Sequence, residues 1–360
     1  PGVITLDLMR AVEEKGLFYP PDPGSMKIST IGGNISENSG GLRGLKYGVT
    51  RDYVLGLEVV LANGDVIRTG GKLAKDVAGY DLTRLLVGAE GTLGIVTEAT
   101  LKLIPMPETK QTMLALYQDL EAAARSVSKI IANQIIPATL EFLDQPTLEV
   151  VEDYARIGLP TDVKAVLLIE QDGPKEVVER DMKKMADICR SEQAVSVELA
   201  RSEEEAEALR TARRAALSAL ARLKPTTILE DATVPRSEIA KMVKAINEIA
   251  AKYQLKICTF GHAGDGNLHP TCPTDARNRE EMERVEKAFE EIFAKAIELG
   301  GTITGEHGVG AMKAPYLEWK LGPAGIAAMK AIKQALDPNN IMNPGKVFAK
   351  STRKRVVVTR

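Results

Sequence analysis

"GHAGDGNLHP", residues 261–270, contains His262 and His269, two of only three histidines in a chain of 360 residues. The third, His307, lies in "TGEHGVG" at 304–310. Histidines that merely filled a core would be scattered along the chain, whereas these sit in two short glycine-rich stretches. Gly261, Gly264 and Gly266 leave little side-chain bulk around His262, so the backbone can bend sharply and bring both imidazoles toward one point. The flanking residues read as strands over 255–261 and 267–271, which makes the stretch a tight turn between neighbouring strands.

Outward from this turn, strands and charged amphipathic helices alternate from "PMPET" (105–109) onward. Strands are expected at 112–117, 138–143, 165–170, 195–200 and 226–231, and helices at 119–133, 147–157, 175–193, 202–223, 236–252, 278–299 and 323–335. This alternation fits an α+β domain, an antiparallel sheet covered by helices in roughly ferredoxin-like units. Residues 1–107 have a different texture. They are glycine-rich, with strand-like runs "VLGLEVVLANGDVIRTG" and "GIVTEATLKLIP" and a turn signal at Asn63-Gly64, and read as a sheet domain whose loops do the binding. The expected division is therefore 1–107, 108–348, and a basic tail at 349–360 read as a frayed end.

Composition narrows the classes. The chain is 44% hydrophobic and 27% charged, so it can bury more than one core. A net charge of −2 gives no field to attract nucleic acid or anionic lipid, and no apolar run is long enough to span a bilayer. Cys189, Cys258 and Cys272 form no CxxC pair, which argues against a disulfide framework and a self-contained iron–sulfur site. The sequence begins at Pro1 with no basic or apolar leader, so a cytoplasmic protein is expected, membrane-associated only through a partner.

Two imidazoles converging from one turn, with a carboxylate from elsewhere, supply the three protein ligands of an open catalytic metal site. Glu306 is the candidate carboxylate because it precedes His307 in another glycine-flanked loop, leaving His307 to act as a general base beside the metal. Asp265 is a rival ligand, although a turn aspartate can simply bond its own backbone. Cys258 and Cys272 flank the motif as soft ligands or as small buried residues. The plain alternative is a hairpin whose histidines cap backbone groups.

An arginine stands where a leucine is expected. In the helix at 202–223 the apolar stripe runs Ala206, Leu209, Ala216, Leu217, Leu220, and Arg213 falls at its centre. A buried guanidinium needs an anion. That anion is either a protein carboxylate or a substrate carboxylate gripped bidentately. Arg210 and Arg214 are expected to face solvent.

In the first domain, "PDPGSMKISTIGGNISENSGG" (21–41) offers many unencumbered backbone N–H groups, a surface suited to a pyrophosphate. It is neither a GxGxxG after a strand nor a P-loop. "VGAEGTLGIVT" (87–97) sets Gly88, Gly91 and Gly94 at three-residue spacing before a strand, where a flat ligand can approach the backbone.

Together, "YPPDPGSMKISTIGGNISENSGG", "GYDLTRLLVGAEGTLGIVTEATLKLIP", "EDATVPRS", "GHAGDGNLHP", "GEHGVG" and "DPNNIMNPGKVF" resemble the FAD-linked 2-hydroxy-acid dehydrogenases of the vanillyl-alcohol-oxidase (PCMH-type) fold. The resemblance is strongest to the branch of glycolate oxidase flavin subunits and D-lactate dehydrogenases, and it covers nearly the whole chain. It implies FAD contacts at Ser25, Thr30, Gly32, Gly33, Asn34, Asn38, Gly41, Glu90, Gly91 and Ile95. It further implies a divalent metal, Zn or Mn, on His262, His269 and Glu306, a base at His307, and a substrate-carboxylate arginine at Arg213.

The implied activity is oxidation of a small (R)-2-hydroxy acid of the lactate or glycolate class to the 2-oxo acid. Electrons then pass to a separate acceptor, an iron–sulfur subunit or an electron-transfer flavoprotein. Two departures from the family pattern stand out. A first glycine-rich pyrophosphate loop is missing before residue 1, so the sequence reads as N-terminally truncated. Thr271 follows "NLHP" where 2-hydroxyglutarate-specific members carry a longer amide, which disfavours a large dicarboxylate. The rival readings are a flavin-free zinc hydrolase on the same ligands and a non-catalytic electron-transfer subunit.

Overall fold

The computed structural model describes residues 1–348 and Val358–Thr359. The rest of the basic tail lies outside the described residues. Among the described residues the chain packs as two units, Pro1–Met106 with Glu306–Phe348, and Pro107–Gly305 with Val358–Thr359.

The second unit is built on one antiparallel sheet. From one side its strands run Thr226–Leu229, Asn267–Thr274, Cys258–His262, Thr139–Asp144, Ala165–Gly173, Thr109–Tyr117 and Ser196–Leu199. Val358–Thr359 pair with Thr226–Thr227 at the outer edge. Ala165–Asp172 are buried at every position. Successive strand residues point to opposite faces, so both faces of the sheet are covered there. One face meets the helices Gln145–Ala155, Glu203–Arg214 and Ala216–Leu220 through a core that includes Leu116, Leu143, Leu148, Val166, Ala212, Leu220 and Phe260.

The helix expected over 202–223 is two helices, divided at Ala215. Arg210, expected to face solvent, is buried instead, with Nη1 2.5 Å from Glu170 of the sheet and Nη2 2.5 Å from Glu203. Arg214 is also mostly enclosed, 3.7 Å from Glu207. The physical reason is the helical repeat. Residues three apart share a face, so Arg210 must join Arg213 against the sheet.

The first unit holds a three-stranded antiparallel sheet, Val66–Gly70, Val54–Val60 and Ile95–Leu101. The core on it includes Met9, Ile31, Ile35, Tyr53, Leu57, Val59 and Leu86. The stretch read as a binding loop is partly helix, Ile31–Glu37. Thr30 Oγ1 caps it by accepting the Gly33 N–H at 3.1 Å, and Asn38 ends it in the left-handed region at φ 57°. Glycine is a poor helix former, but Gly32 is needed here: a Cβ on it would lie 2.6 Å from the Pro1 side chain.

The loop at 306–310 is clasped within this unit. Glu90, itself at φ 51°, accepts the N–H groups of Val309 at 2.6 Å and Gly310 at 2.7 Å. Glu37 crowds the same loop, since a Cβ on Gly308 would fall between the carboxylates of Glu37 and Glu90. Glu37 is exposed along its length, but its carboxyl end lies against the loop. Burial there, followed by the charge of Glu90, pushes it up from 4.5 to about 7.

Two outcomes follow from this packing. Arg210→Met leaves Glu170 buried and unpaired, and should lower the unfolding free energy by about 3–5 kcal/mol in urea titrations. Arg210→Met/Glu170→Leu should regain most of that loss, and an equal loss in both variants would count against a buried pair.

The second concerns pH. A folded-state value raised above the unfolded one means that Glu37 stabilises most fully below pH 4.5, and that this contribution is lost as pH rises toward about 7. Glu37→Gln should therefore flatten the thermal midpoint against pH across that window, and parallel curves for parent and variant would refute it.

Candidate active site

The register of the hairpin explains how two histidines seven residues apart meet. Phe260 pairs with His269 and His262 with Asn267, so His262 and His269 are diagonal neighbours on one face of the sheet. Their ring centroids are 5.1 Å apart and nearly perpendicular, and each offers a nitrogen within 4.8 Å of the other's. Both residues are buried, at 7% and 3% exposure. The glycines permit this shape. A Cβ on Gly261 would sit 2.4 Å from the Asn267 carbonyl oxygen, and Gly266 adopts φ 85° with the Val234 carbonyl 2.1 Å from where its Cβ would be.

The neighbouring strand adds a carboxylate to this face. Phe260 pairs with Leu143, which puts Glu141, two residues back, on the same side as His262. Glu141 is fully buried, and its Oε1 is 2.7 Å from His262 Nδ1. Its Oε2 is 2.5 Å from Arg213 Nη2, an ion pair whose angles fall short of a hydrogen bond. Burial alone would push Glu141 up, but Arg213 and then His262 outweigh it and hold the carboxyl below its usual range. Arg213 is thus on the packed face, as its place in the apolar stripe implies, and paired with a protein carboxylate. Its guanidinium also stacks 4.8 Å over the Phe260 ring, and its Nε makes no hydrogen bond among the described residues.

The other candidates around the turn have structural partners. Asp265 Oδ1 accepts the Asn267 N–H at 3.1 Å, a local turn bond. Cys258 and Cys272 are buried, and burial pushes the Cys258 thiol up to about 12, far from a thiolate ligand. Thr271 is fully buried, its hydroxyl donating to the His269 carbonyl at 3.2 Å. Asp231, from "EDATVPRS", accepts the Gly305 N–H at 2.6 Å and so fixes the backbone one residue before Glu306. In the first unit, Glu306 and His307 lie side by side, with Oε1 and Nε2 3.9 Å apart, and His307 is partly open to solvent.

The residues implied as FAD contacts largely have their side chains committed within the protein. Asn34 Nδ2 donates to Thr5 Oγ1 at 2.8 Å, Asn38 Oδ1 accepts the Arg51 N–H at 2.8 Å, and Gly41 is pressed against Asp22. Glu90 holds the 306–310 loop. Ser25 is exposed, its carbonyl accepting the Ile28 and Ser29 N–H groups at 2.8 Å, and Gly91 stands at φ 67° with only Asn343 near its Cβ direction. Ile95 begins a strand with 57% exposure. Exposed apolar surface also occurs at Leu73, Val77 and Tyr80, beside Gly71 and Gly79, whose Cβ positions meet nothing.

Sequence reasoning missed Glu141 and Glu37. Glu141 was open to detection, because "TLEFLD" places a carboxylate between the apolar Leu140 and Phe142. Glu37 carried no signal, since its neighbour Glu90 is far away in sequence.

Comparison with known proteins identifies the family. A family described as "FAD linked oxidases, C-terminal domain" matches residues 106–347, and one described as "FAD binding domain" matches 1–70. The glycolate oxidase subunit GlcD of Bacillus subtilis is 79% identical over 360 residues, covering 100% of this chain and 77% of that protein. A D-lactate dehydrogenase of Anaerostipes hadrus is 38% identical over 97% of this chain and 75% of its own. A structure of p-cresol methylhydroxylase superposes with a TM-score of 0.76 at 19% identity, covering 97% of this chain and 75% of that one, which shows a shared fold. The FAD-binding match removes the flavin-free hydrolase reading. With most of its length matched by the family and close relatives spanning it from end to end, the chain belongs to the FAD-linked oxidases.

Proposed function

We propose that this chain oxidises a small (R)-2-hydroxy acid of the lactate or glycolate class to the 2-oxo acid and passes the electrons to a separate protein. The observation that carries this reading is the buried sheet face on which His262 and His269 lie beside Glu141, with Arg213 of the covering helix paired to the same carboxylate. Relatives named for glycolate and D-lactate oxidation support it.

Each residue then has a task. Arg213 takes the substrate carboxylate with the donors that Glu141 leaves over, Nε among them. The donor set of two buried imidazoles and one carboxylate fits a Zn or Mn ion with an open position, and His262, His269 and Glu306 would hold it. Glu306 follows Gly305 directly, and Asp231 pins that residue in the same unit as the histidines. When bound, the metal supplies a Lewis acid for the substrate hydroxyl and FAD supplies the hydride acceptor. His307 removes the hydroxyl proton, and its partial exposure gives that proton a way out to solvent.

The acceptor is an iron–sulfur subunit or an electron-transfer flavoprotein. The three cysteines here are buried, and one relative is named as a subunit of its oxidase. No helix among the described residues is long and apolar enough to cross a membrane.

The holoenzyme should lose its flavin absorbance near about 450 nm when mixed anaerobically with (R)-lactate or glycolate, and far more slowly with (S)-lactate or 2-hydroxyglutarate. No bleaching by any 2-hydroxy acid would remove the proposal. Arg213→Lys keeps the ion pair with Glu141 but loses the planar fork, so KM should rise roughly tenfold or more while the thermal midpoint barely moves. An unchanged KM with a lower midpoint would make Arg213 purely a counter-ion. His307→Asn should cut kcat by about 10²–10⁴-fold with little change in KM.

A further inference from the structure

We propose that Glu141 is the positioning residue of this site, a single carboxylate that fixes the ligating tautomer of His262 with one oxygen and orients Arg213 with the other. The inference deepens the reading above, because it takes His262 as a metal ligand.

A carboxylate at 2.7 Å from Nδ1 calls for a proton on that nitrogen, which leaves the lone pair of the ring on Nε2. Metal-bound histidines commonly donate their second nitrogen to such an acceptor, which fixes the ring and raises its basicity. Glu141 is well placed to be rigid. It sits in the middle of strand Thr139–Asp144, which is paired with a strand on each side, and has no exposed surface. Its second oxygen meets Arg213, which also stacks on Phe260, the residue paired with His269.

Metal ligand and carboxylate-binding arginine are therefore referred to one rigid point. A shift of Glu141 must displace both together. The network also gives Arg213 a fixed orientation before substrate arrives, so its remaining donors need not be ordered at the moment of binding.

The test uses the 360-residue chain with Zn²⁺ and Co²⁺ as probes and needs no turnover. Nitrogen-15 spectra of the imidazoles can be assigned by single substitutions, because there are only three histidines. The metal-free chain should show His262 with its proton on Nδ1, and a proton on Nε2 would overturn the proposal. Glu141→Gln replaces the carboxylate by a weaker acceptor and should weaken Zn²⁺ affinity by about 10–100-fold in chelator competition, with a shifted Co²⁺ absorption spectrum.

Because that variant leaves Arg213 buried beside an amide, Glu141→Gln/Arg213→Met removes the stranded charge. It should regain thermal stability yet keep the weakened Zn²⁺ affinity. Parent affinity in the double variant would mean that Glu141 only balances Arg213, and would overturn the proposal. If His262→Ala binds Zn²⁺ as tightly as the parent, the metal reading falls by itself, and the tautomer measurement still decides whether Glu141 orients the ring.

Discussion

The second unit depends on a carboxylate buried where none should be stable. Glu141 has no contact with water, and a lone ion in that position would take up a proton rather than stay charged. It stays ionised because Arg213 and His262 each meet one of its oxygens. Removing either partner leaves a charge in an apolar core, so the three residues hold or fail as a set. The constraint also runs outward, since the strand carrying Glu141, the hairpin carrying His262 and the helix carrying Arg213 must keep a common register.

That register is enforced twice. Glu170, on the next strand, pairs with Thr139 across the ladder, so it is a diagonal neighbour of Glu141 on the same face. Arg210 and Arg213, three residues apart on the covering helix, reach Glu170 and Glu141 respectively. Two ion pairs at helical spacing meet two carboxylates at strand spacing. A helix slid by one residue would satisfy neither, and apolar packing of Ala206, Ala212 and Ala216 alone would discriminate such a slide poorly, because small residues tolerate many seats. The buried pairs select one arrangement where hydrophobic contact permits several. That is their use, since ion pairs of this kind add little net stability over apolar residues of equal size.

Much of this was legible in the sequence. The spacing of His262 and His269 around three glycines implies a hairpin, and hairpin register alone puts them on one face. Arg213 stands out because it interrupts an apolar stripe. The same reasoning applied to strands would have exposed Glu141, a carboxylate between Leu140 and Phe142, and Glu170, which follows the apolar run 165–169. Applied to residues three apart on a helix, it would have placed Arg210 beside Arg213 rather than in water. What the sequence withholds is partnership. Glu141 meets a histidine 121 positions away, and Glu90 holds the backbone of residues 219 and 220 positions away. No local pattern encodes such pairs, because only the closed fold makes them neighbours. The helix at 31–37 was hidden for another reason, its two glycines masking a threonine cap and an asparagine stop.

The clasp on the 306–310 loop has a consequence for His307. Gly305 is held at its N–H by Asp231 in one unit, and Val309 and Gly310 are held at theirs by Glu90 in the other. Only Glu306, His307 and Gly308 lie between these anchors. Within the first unit, the two hydrogen bonds to Glu90 fix the backbone directly after Gly308, so fewer conformations remain open to the loop that carries His307. His307 is partly exposed within this held loop. Ordinary loops gain exposure at the cost of order. Here the loop's backbone is held by the Glu90 carboxylate, and the glycine at 308 is what leaves room for it.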